Sequence, residues 1–140
     1  MRTAAGRLYL APADYHLLIE PPGRLALSLD PPEHYCRPAI DPLFASAADC
    51  FADRLAGVIL SGMGHDGAAG LRAIHARGGR CLVQEPASAA FPAMPEAALG
   101  AVPDAHRFTP DAFFATLAPM VNAAGTTRST SCWSTTPRPT

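Results

Sequence analysis

The stretch at residues 56–77 constrains the fold more than any other part of the sequence. An apolar run at 58–60 leads into a turn with glycines at positions 62, 64 and 67, and the chain continues as an alanine-rich segment. A short apolar run that ends at glycine favours a buried strand, and a helix that follows it must pack back on the sheet. We therefore predict a strand, a tight loop and a helix, with Asp66 at the start of that helix.

The neighbouring segments extend this unit into a fold. A second apolar run at 80–85 follows two glycines, so we predict a βαβ unit and an α/β fold, with a sheet that is at least partly parallel and flanking helices. Runs at 7–12, 15–20 and 25–30 predict a small antiparallel meander. An Asp-Pro pair and apolar residues at helical spacing predict an amphipathic helix over 42–53, capped by Asp41.

The composition excludes several classes of protein. The chain has 140 residues and a net charge of −1, without the basic stripe that nucleic-acid binding requires. Its four cysteines form no C-x-x-C pair, so we expect reduced thiols, a cytoplasmic location, and neither a metal nor a cofactor. No apolar run is long enough for membrane insertion. We expect one domain over 1–121 and a disordered tail rich in Ser, Thr, Pro and Arg over 122–140.

The glycine-rich loop supports two different functions. Residues 62–67 match G-x-G-x-x-G, and Glu85 ends the next apolar run, which is the pattern of a dinucleotide-binding loop. However, the carboxylate of Asp66 would repel a pyrophosphate at the helix N-terminus. A non-catalytic module that binds a nucleotide through Gly62 to Gly67 is therefore the weaker alternative.

The second function makes Asp66 an active-site carboxylate, because open α/β sheets place their ligand crevices at the carboxyl ends of strands. Such an aspartate orients a histidine that deprotonates a serine. The structural alternative is that Asp66 only caps its own helix through first-turn amides. No G-x-S-x-G motif accompanies it, and Ser61 precedes the turn. His65 is expected to be a surface residue of the loop, whereas His34, in a proline-rich loop, is a candidate for substrate contact.

Several stretches together resemble one family. In order and spacing they are similar to the catalytic domain of the bacterial chemotaxis protein-glutamate methylesterases (CheB type), over about residues 7 to 121. The similar stretches are RLYLAPADYHLLI at 7–19, RPAIDPLFASAA at 37–48, GVILSGMGHDGAAGL at 57–71 and VQEPASAAFPAMPEAAL at 83–99.

The resemblance implies a doubly wound α/β sheet and a specific activity. Members of the family hydrolyse γ-glutamyl methyl esters on the cytoplasmic helices of methyl-accepting chemoreceptors, and many also deamidate glutamines, by a Ser-His-Asp triad. The triad aspartate would be Asp66. Met63 would help to polarise the substrate carbonyl through its backbone, with Gly64 as loop support, and Arg37 and His34 would belong to a substrate loop.

The resemblance also implies that parts of the site are missing from this chain. The serine and the histidine of the family lie ahead of the first similar stretch. We therefore expect a fold that is incomplete on its N-terminal side, a free sheet edge beside residues 58–60, and no activity unless another chain supplies the missing half. A receptor-docking remnant without catalysis is a further alternative.

Overall fold

A computed structural model of the protein describes residues 2–124, with side chains described up to residue 119. Its elements, in chain order, are β1 (His16–Glu20), β2 (Arg24–Ser28), α1 (Ile40–Phe51), β3 (Ala56–Ile59), α2 (Ala68–Ala76), β4 (Arg80–Gln84), α3 (Ala93–Ala101), β5 (His106–Phe108) and α4 (Phe113–Ala124). The predicted tail at 122–140 overlaps the end of α4, and its remainder, 125–140, lies outside the described residues.

The strands form two sheets. β3, β4 and β5 make a parallel sheet in that order, with Val58 opposite Leu82 and Leu82 opposite His106. Helix α2 connects β3 to β4, so the predicted βαβ unit and α/β fold are confirmed. β5 was not predicted, because it has only three residues and two of them are exposed.

The antiparallel part is smaller than predicted. β1 and β2 pair as a hairpin, but residues 7–12 form no strand. The prediction of a third strand there was wrong because apolar residues in a row form a strand only where they find a partner. Leu8 and Leu10 are 83% and 58% exposed.

Strand β3 is one of the two edge strands of the parallel sheet, and β5 is the other. Within residues 2–124, β3 pairs with β4 on one side and with no strand on the other. Even so, Val58 and Ile59 are buried, because α1 and α2 cover one face and α4 approaches the other. An unpaired edge presents N–H and C=O groups to any strand that can dock there.

Helices α1 and α2 pack tightly against each other at a glycine. A Cβ atom built on Gly70 would lie 2.6 Å from Cβ of Phe44, which is itself 2% exposed. The two helices can therefore approach only because residue 70 has no side chain. Leu71 and Ile74 of α2 are fully buried and complete this core.

The boundaries of α1 differ from the predicted 42–53. α1 begins at Ile40, and its N-cap is Ala39, which makes no side-chain capping bond, so Asp41 lies inside the first turn. α3 has nine residues and accommodates Pro95 near its N-terminus, where a missing N–H costs little. No helix within residues 2–124 has the length and hydropathy needed to cross a bilayer.

A pair of glycine substitutions tests the packing of α1 against α2. Gly70→Ala should destabilise the protein by about 1–3 kcal/mol, because the new methyl group overlaps Phe44. The matched control is Gly100→Ala in α3, where nothing lies within 4 Å of the new Cβ. It should be neutral or stabilising by up to about 1 kcal/mol. Urea denaturation followed by circular dichroism measures both, and equal effects would contradict this packing.

Candidate functional site

A cleft of about 480 Å³ opens at the carboxyl end of β3. This is the edge at which parallel α/β sheets bind ligands. The lining residues come from the proline-rich loop, the start of α1, the glycine-rich loop and α3: His34, Tyr35, Cys36, Pro38, Ile40, Ser61, Gly62, Met63, Gly64, His65, Asp66 and Met94. The structure thus brings together Asp66, His34, Met63 and Gly64 of the predicted site.

Asp66 lies between the glycine-rich loop and helix α1, and it is 8% exposed. Its Oδ2 accepts the backbone N–H of Ile40 at 2.7 Å, and its Oδ1 accepts that of Asp41 at 3.0 Å. These two amides belong to the first turn of α1. Asp66 therefore caps α1, and not α2, the helix that it precedes. The alternative that Asp66 only caps its own helix was wrong.

Asp41 makes the reciprocal contact. Its Oδ1 accepts the backbone N–H of Gly67 at 3.0 Å and that of Gly70 at 2.7 Å, at the start of α2. The predicted role of Asp41 as the N-cap of its own helix was therefore wrong. Each helix receives its capping carboxylate from the other, and we call this pair, Asp41 and Asp66, the crossed caps.

Burial and hydrogen bonding act in opposite directions on Asp66. Burial raises the pKa of its carboxyl group, and the nearby charge of Asp41 raises it further. The N–H groups of Ile40 and Asp41 and the ring of His34 lower the pKa of Asp66. The raising contributions are larger, so the pKa of Asp66 lies above its usual value.

His34 holds the remaining oxygen of Asp41. Its Nε2 lies 2.9 Å from Oδ2 of Asp41, and its ring packs edge-on against that of His65, with centroids 4.4 Å apart. His34 and Tyr35 form a two-residue turn with φ of 53° and 65°, closed by hydrogen bonds between Glu33 and Cys36. Positive φ is strained for such residues, so this turn is held by its surroundings.

The other predicted site residues are more widely spread. Met63 is 72% exposed and lines the cleft, and Gly64 has a φ of +83°, which favours glycine. Arg37 is not among the lining residues. Its guanidinium donates to the carbonyls of Leu29 and Asp30, at 3.0 and 3.2 Å, and so ties the loop to the end of β2.

No serine-histidine pair stands beside Asp66 in the described part of the chain. Ser61 lines the cleft, but its Oγ accepts the N–H of Phe91 at 2.9 Å and lies 3.4 Å from the Phe91 carbonyl oxygen. Within residues 2–124, no serine hydroxyl is hydrogen-bonded to a histidine ring. Buried His16 bonds instead to backbone groups of Pro31 and Ala39.

The cluster also offers potential metal ligands. One atom each of His34, Asp41 and Asp66 lies within 4.8 Å of the others. Three of the four carboxylate oxygens, however, already accept backbone N–H groups. Only Oδ2 of Asp41 and the ring of His34 are free of backbone partners, so a cation would have to compete with the crossed caps.

Sequence comparison decides which family this arrangement belongs to. The sequence profile described as CheB methylesterase matches residues 1–121. The chain belongs to the CheB methylesterase family. The CheB resemblance predicted from the motifs is thereby confirmed, and the family is one of carboxylic-ester hydrolases.

Individual relatives agree with the family profile. The chain is 44% identical over 95 residues to protein-glutamate methylesterase/protein-glutamine glutaminase 1 of Rhodospirillum rubrum, which covers 66% of this chain and 24% of the relative. It is 47% identical over 96 residues to protein-glutamate methylesterase FrzG of Myxococcus xanthus, covering 69% of this chain and 29% of that protein. A Leptospira interrogans relative, named as a putative enzyme of the same kind, is 42% identical over 97 residues, with 69% and 50% covered. The chain thus spans at most about half of these curated relatives.

A solved structure shows the same fold. The crystal structure of the Thermotoga maritima CheB methylesterase catalytic domain superposes with a TM-score of 0.76 at 24% identity. The match covers 81% of this chain and 61% of that one. At this identity the similarity establishes the architecture, and it confirms the predicted α/β fold.

The contact between His34 and Asp41 predicts a dependence of stability on pH. The hydrogen bond to Asp41 raises the pKa of His34 above 6.5. Its stabilisation is therefore complete below pH 6.5 and is lost as the pH rises through the folded-state pKa. His34→Asn, which tolerates the positive φ, should be less stable than the parent by up to about 1 kcal/mol at pH 5.5, and by less at pH 9.

Urea denaturation at the two pH values measures this difference. His75→Asn is the control, because the ring of His75 lies 3.7 Å from Asp104 and both side chains are at least half exposed. Its effect should change less between the two pH values. If His34→Asn lowers the free energy of unfolding equally at both pH values, the contact between His34 and Asp41 is not a stabilising ion pair.

Proposed function

We propose that this chain provides the acidic part of a Ser-His-Asp site that hydrolyses glutamyl methyl esters on methyl-accepting chemoreceptors. One observation carries the proposal: Asp66 is buried, is fixed by two backbone N–H groups, and lines a cleft at the carboxyl end of a parallel strand. This is the environment that a triad aspartate needs in order to orient an imidazole.

The geometry of Asp66 leaves room for that imidazole. Each carboxylate oxygen has about two lone pairs, and each oxygen of Asp66 accepts one hydrogen bond within residues 2–124, so a further N–H can bind from the cleft. A histidine bound there would take the proton of a serine as the serine attacks the ester carbonyl. Methanol leaves as the acyl-enzyme forms, and water then releases the glutamate carboxylate.

The glycine-rich loop can provide the oxyanion site. Within residues 2–124, the N–H of Met63 donates to no acceptor, and Met63 lines the same cleft as Asp66. The positive φ of Gly64 turns the chain directly after it. A backbone N–H that is free before the reaction can bind the oxyanion in the transition state.

The serine and the histidine have to come from a segment outside the described residues. The free edge of β3 is the place where a further strand of a parallel sheet would dock, and it ends at the cleft. We propose that the segment supplying the serine and the histidine pairs with this edge and brings both groups to Asp66. Residues 2–124 alone are then inactive.

The names of the relatives support the proposed substrates. The Rhodospirillum rubrum protein is named both as a methylesterase and as a glutaminase. The same acyl chemistry applies to a glutamine side chain, with ammonia as the leaving group, so deamidation belongs to the proposal. With receptor cytoplasmic helices as its substrate, the protein would act in the cytoplasm, and this location is part of the same proposal.

The geometry gives less support to nucleotide binding by the Gly62–Gly67 loop. The N–H groups of Gly67 and Gly70, which a phosphate would use, already donate to Asp41. A phosphate there would also face two carboxylates.

Complementation tests the proposed activity. The full chain is combined with the portion of the Rhodospirillum rubrum relative that lies outside the matched region, and we call this combination the complemented protein. Methanol release from methylated receptor should be undetectable with either component alone and should appear with both. Asp66→Asn should then reduce kcat by about 10³–10⁴-fold, because the amide cannot hold the imidazolium.

The control is Asp104→Asn, which changes an exposed aspartate next to a histidine away from the cleft. It should leave kcat unchanged. Full activity of Asp66→Asn would remove Asp66 from the mechanism. Receptor binding by the complemented protein without any methanol or ammonia release would favour the docking remnant, and saturable NAD binding by the chain would favour the nucleotide module.

A further inference from the structure

We propose that Asp41 is a positioning residue for Asp66: its carboxylate fixes the start of α2, and with it the loop that carries Asp66 in the cleft. The inference rests on the proposed function of Asp66 for its catalytic consequence. Its structural part concerns the crossed caps alone and can be tested without turnover.

The first link runs from the Asp41 side chain to the loop. Oδ1 of Asp41 accepts two N–H groups, from Gly67 and Gly70, and Gly67 directly follows Asp66. Gly67 has a φ of +101°, and a Cβ atom there would lie 2.5 Å from Cδ1 of Ile59. The chain next to Asp66 is therefore held against β3 on one side and against Asp41 on the other.

The second link returns from the loop to α1. Asp66 accepts N–H groups from Ile40 and from Asp41 itself. Asp41 thus holds Asp66 through its backbone N–H, and it holds Gly67 through its side chain. A shift of either helix start changes both sets of hydrogen bonds, so the direction of the Asp66 carboxylate depends on the Asp41 side chain.

The third link fixes the orientation of Asp41. His34 Nε2 lies 2.9 Å from Oδ2 of Asp41, whose side chain is 13% exposed. With Oδ2 held by the ring, Oδ1 faces the amides of α2. The two carboxylates repel each other, which contributes to the raised pKa of Asp66. Four backbone N–H groups offset this repulsion and hold the two groups side by side.

These contacts distinguish positioning from a general structural role. Asp41→Ala keeps the backbone N–H that binds Asp66 and removes the side chain's hold on α2, together with its contact to His34. Asp41→Asn keeps an oxygen that can accept from Gly67 and Gly70. Asp41→Glu keeps the charge but moves the oxygens by one methylene group. If the position of the oxygen at residue 41 matters and its charge does not, Asp41→Asn should behave like the parent and Asp41→Glu should not.

Amide hydrogen exchange on the full chain gives the first readout. In Asp41→Ala, exchange at Gly67 and Gly70 should rise by about tenfold or more, and exchange at Ile40, which donates to Asp66, should rise with it. In Asp41→Asn, all three should stay within about threefold of the parent. Unchanged protection of Ile40 in Asp41→Ala would overturn the proposal.

The complemented protein gives the second readout. Asp41→Ala and Asp41→Glu should lower kcat by about 10–100-fold, because a displaced carboxylate misplaces the imidazole, whereas KM stays within about threefold. Asp41→Asn should retain kcat within about threefold. The matched control is Asp49→Ala, which removes a carboxylate between the same two helices, 3.4 Å from Arg77. It should leave both readouts unchanged.

The remaining outcomes are also decisive. If Asp41→Ala does not fold, the comparison of Asp41→Glu with Asp41→Asn still decides. Retained kcat in Asp41→Glu together with reduced kcat in Asp41→Asn would overturn the proposal, because the charge and not the position of the oxygen would then matter. A parent complemented protein that releases no methanol would overturn the proposed function, while the exchange pattern at Ile40 would still decide whether Asp41 positions Asp66.

Discussion

The crossed caps of Asp41 and Asp66 are the interaction on which the rest of the structure depends. The first amides of any helix have no partner within the helix, and its dipole favours a negative charge at that end. Helices α1 and α2 meet both needs by exchanging carboxylates, with four hydrogen bonds of 2.7 to 3.0 Å. The exchange joins segments that are far apart in the chain, since Ile40 and Asp66 are separated by 26 residues.

The position of the site follows from that exchange. Gly70 lets α2 approach α1 at Phe44, and Ile59 at the end of β3 packs against Gly67. Between these contacts the glycine-rich loop can only pass over the end of β3, and the carboxylate of Asp66 must point to the start of α1. The candidate active-site carboxylate is therefore held by the same packing that holds the core together.

Much of this could be predicted locally. The apolar runs on either side of the glycine-rich loop predict the βαβ unit, and the apolar spacing after Asp41 predicts α1, because these patterns reflect one buried face per element. The family resemblance came from the loop around Asp66 and from the stretch that begins at Arg37. Both are contiguous segments whose residue types can be compared directly.

The partners of the two aspartates could not be predicted in the same way. Both stand near helix starts, and capping rules assign each of them to its own helix. Only the packing of α1 on α2 shows that they are exchanged. The missed strand β5 and the strand wrongly predicted at 7–12 have the same cause, because a short run becomes a strand only where a partner edge is available.

A double-mutant cycle on the crossed caps tests the central claim most directly. The free energies of unfolding of Asp41→Ala, Asp66→Ala and the double variant are measured in urea and compared with the parent. If each carboxylate supports the other, the double variant should lose less than the sum of the single losses, by about 1 kcal/mol or more. Single losses that add to the double loss within about 0.5 kcal/mol would contradict the account. A double loss larger than the sum would also contradict it, because repulsion between the carboxylates alone would give that result.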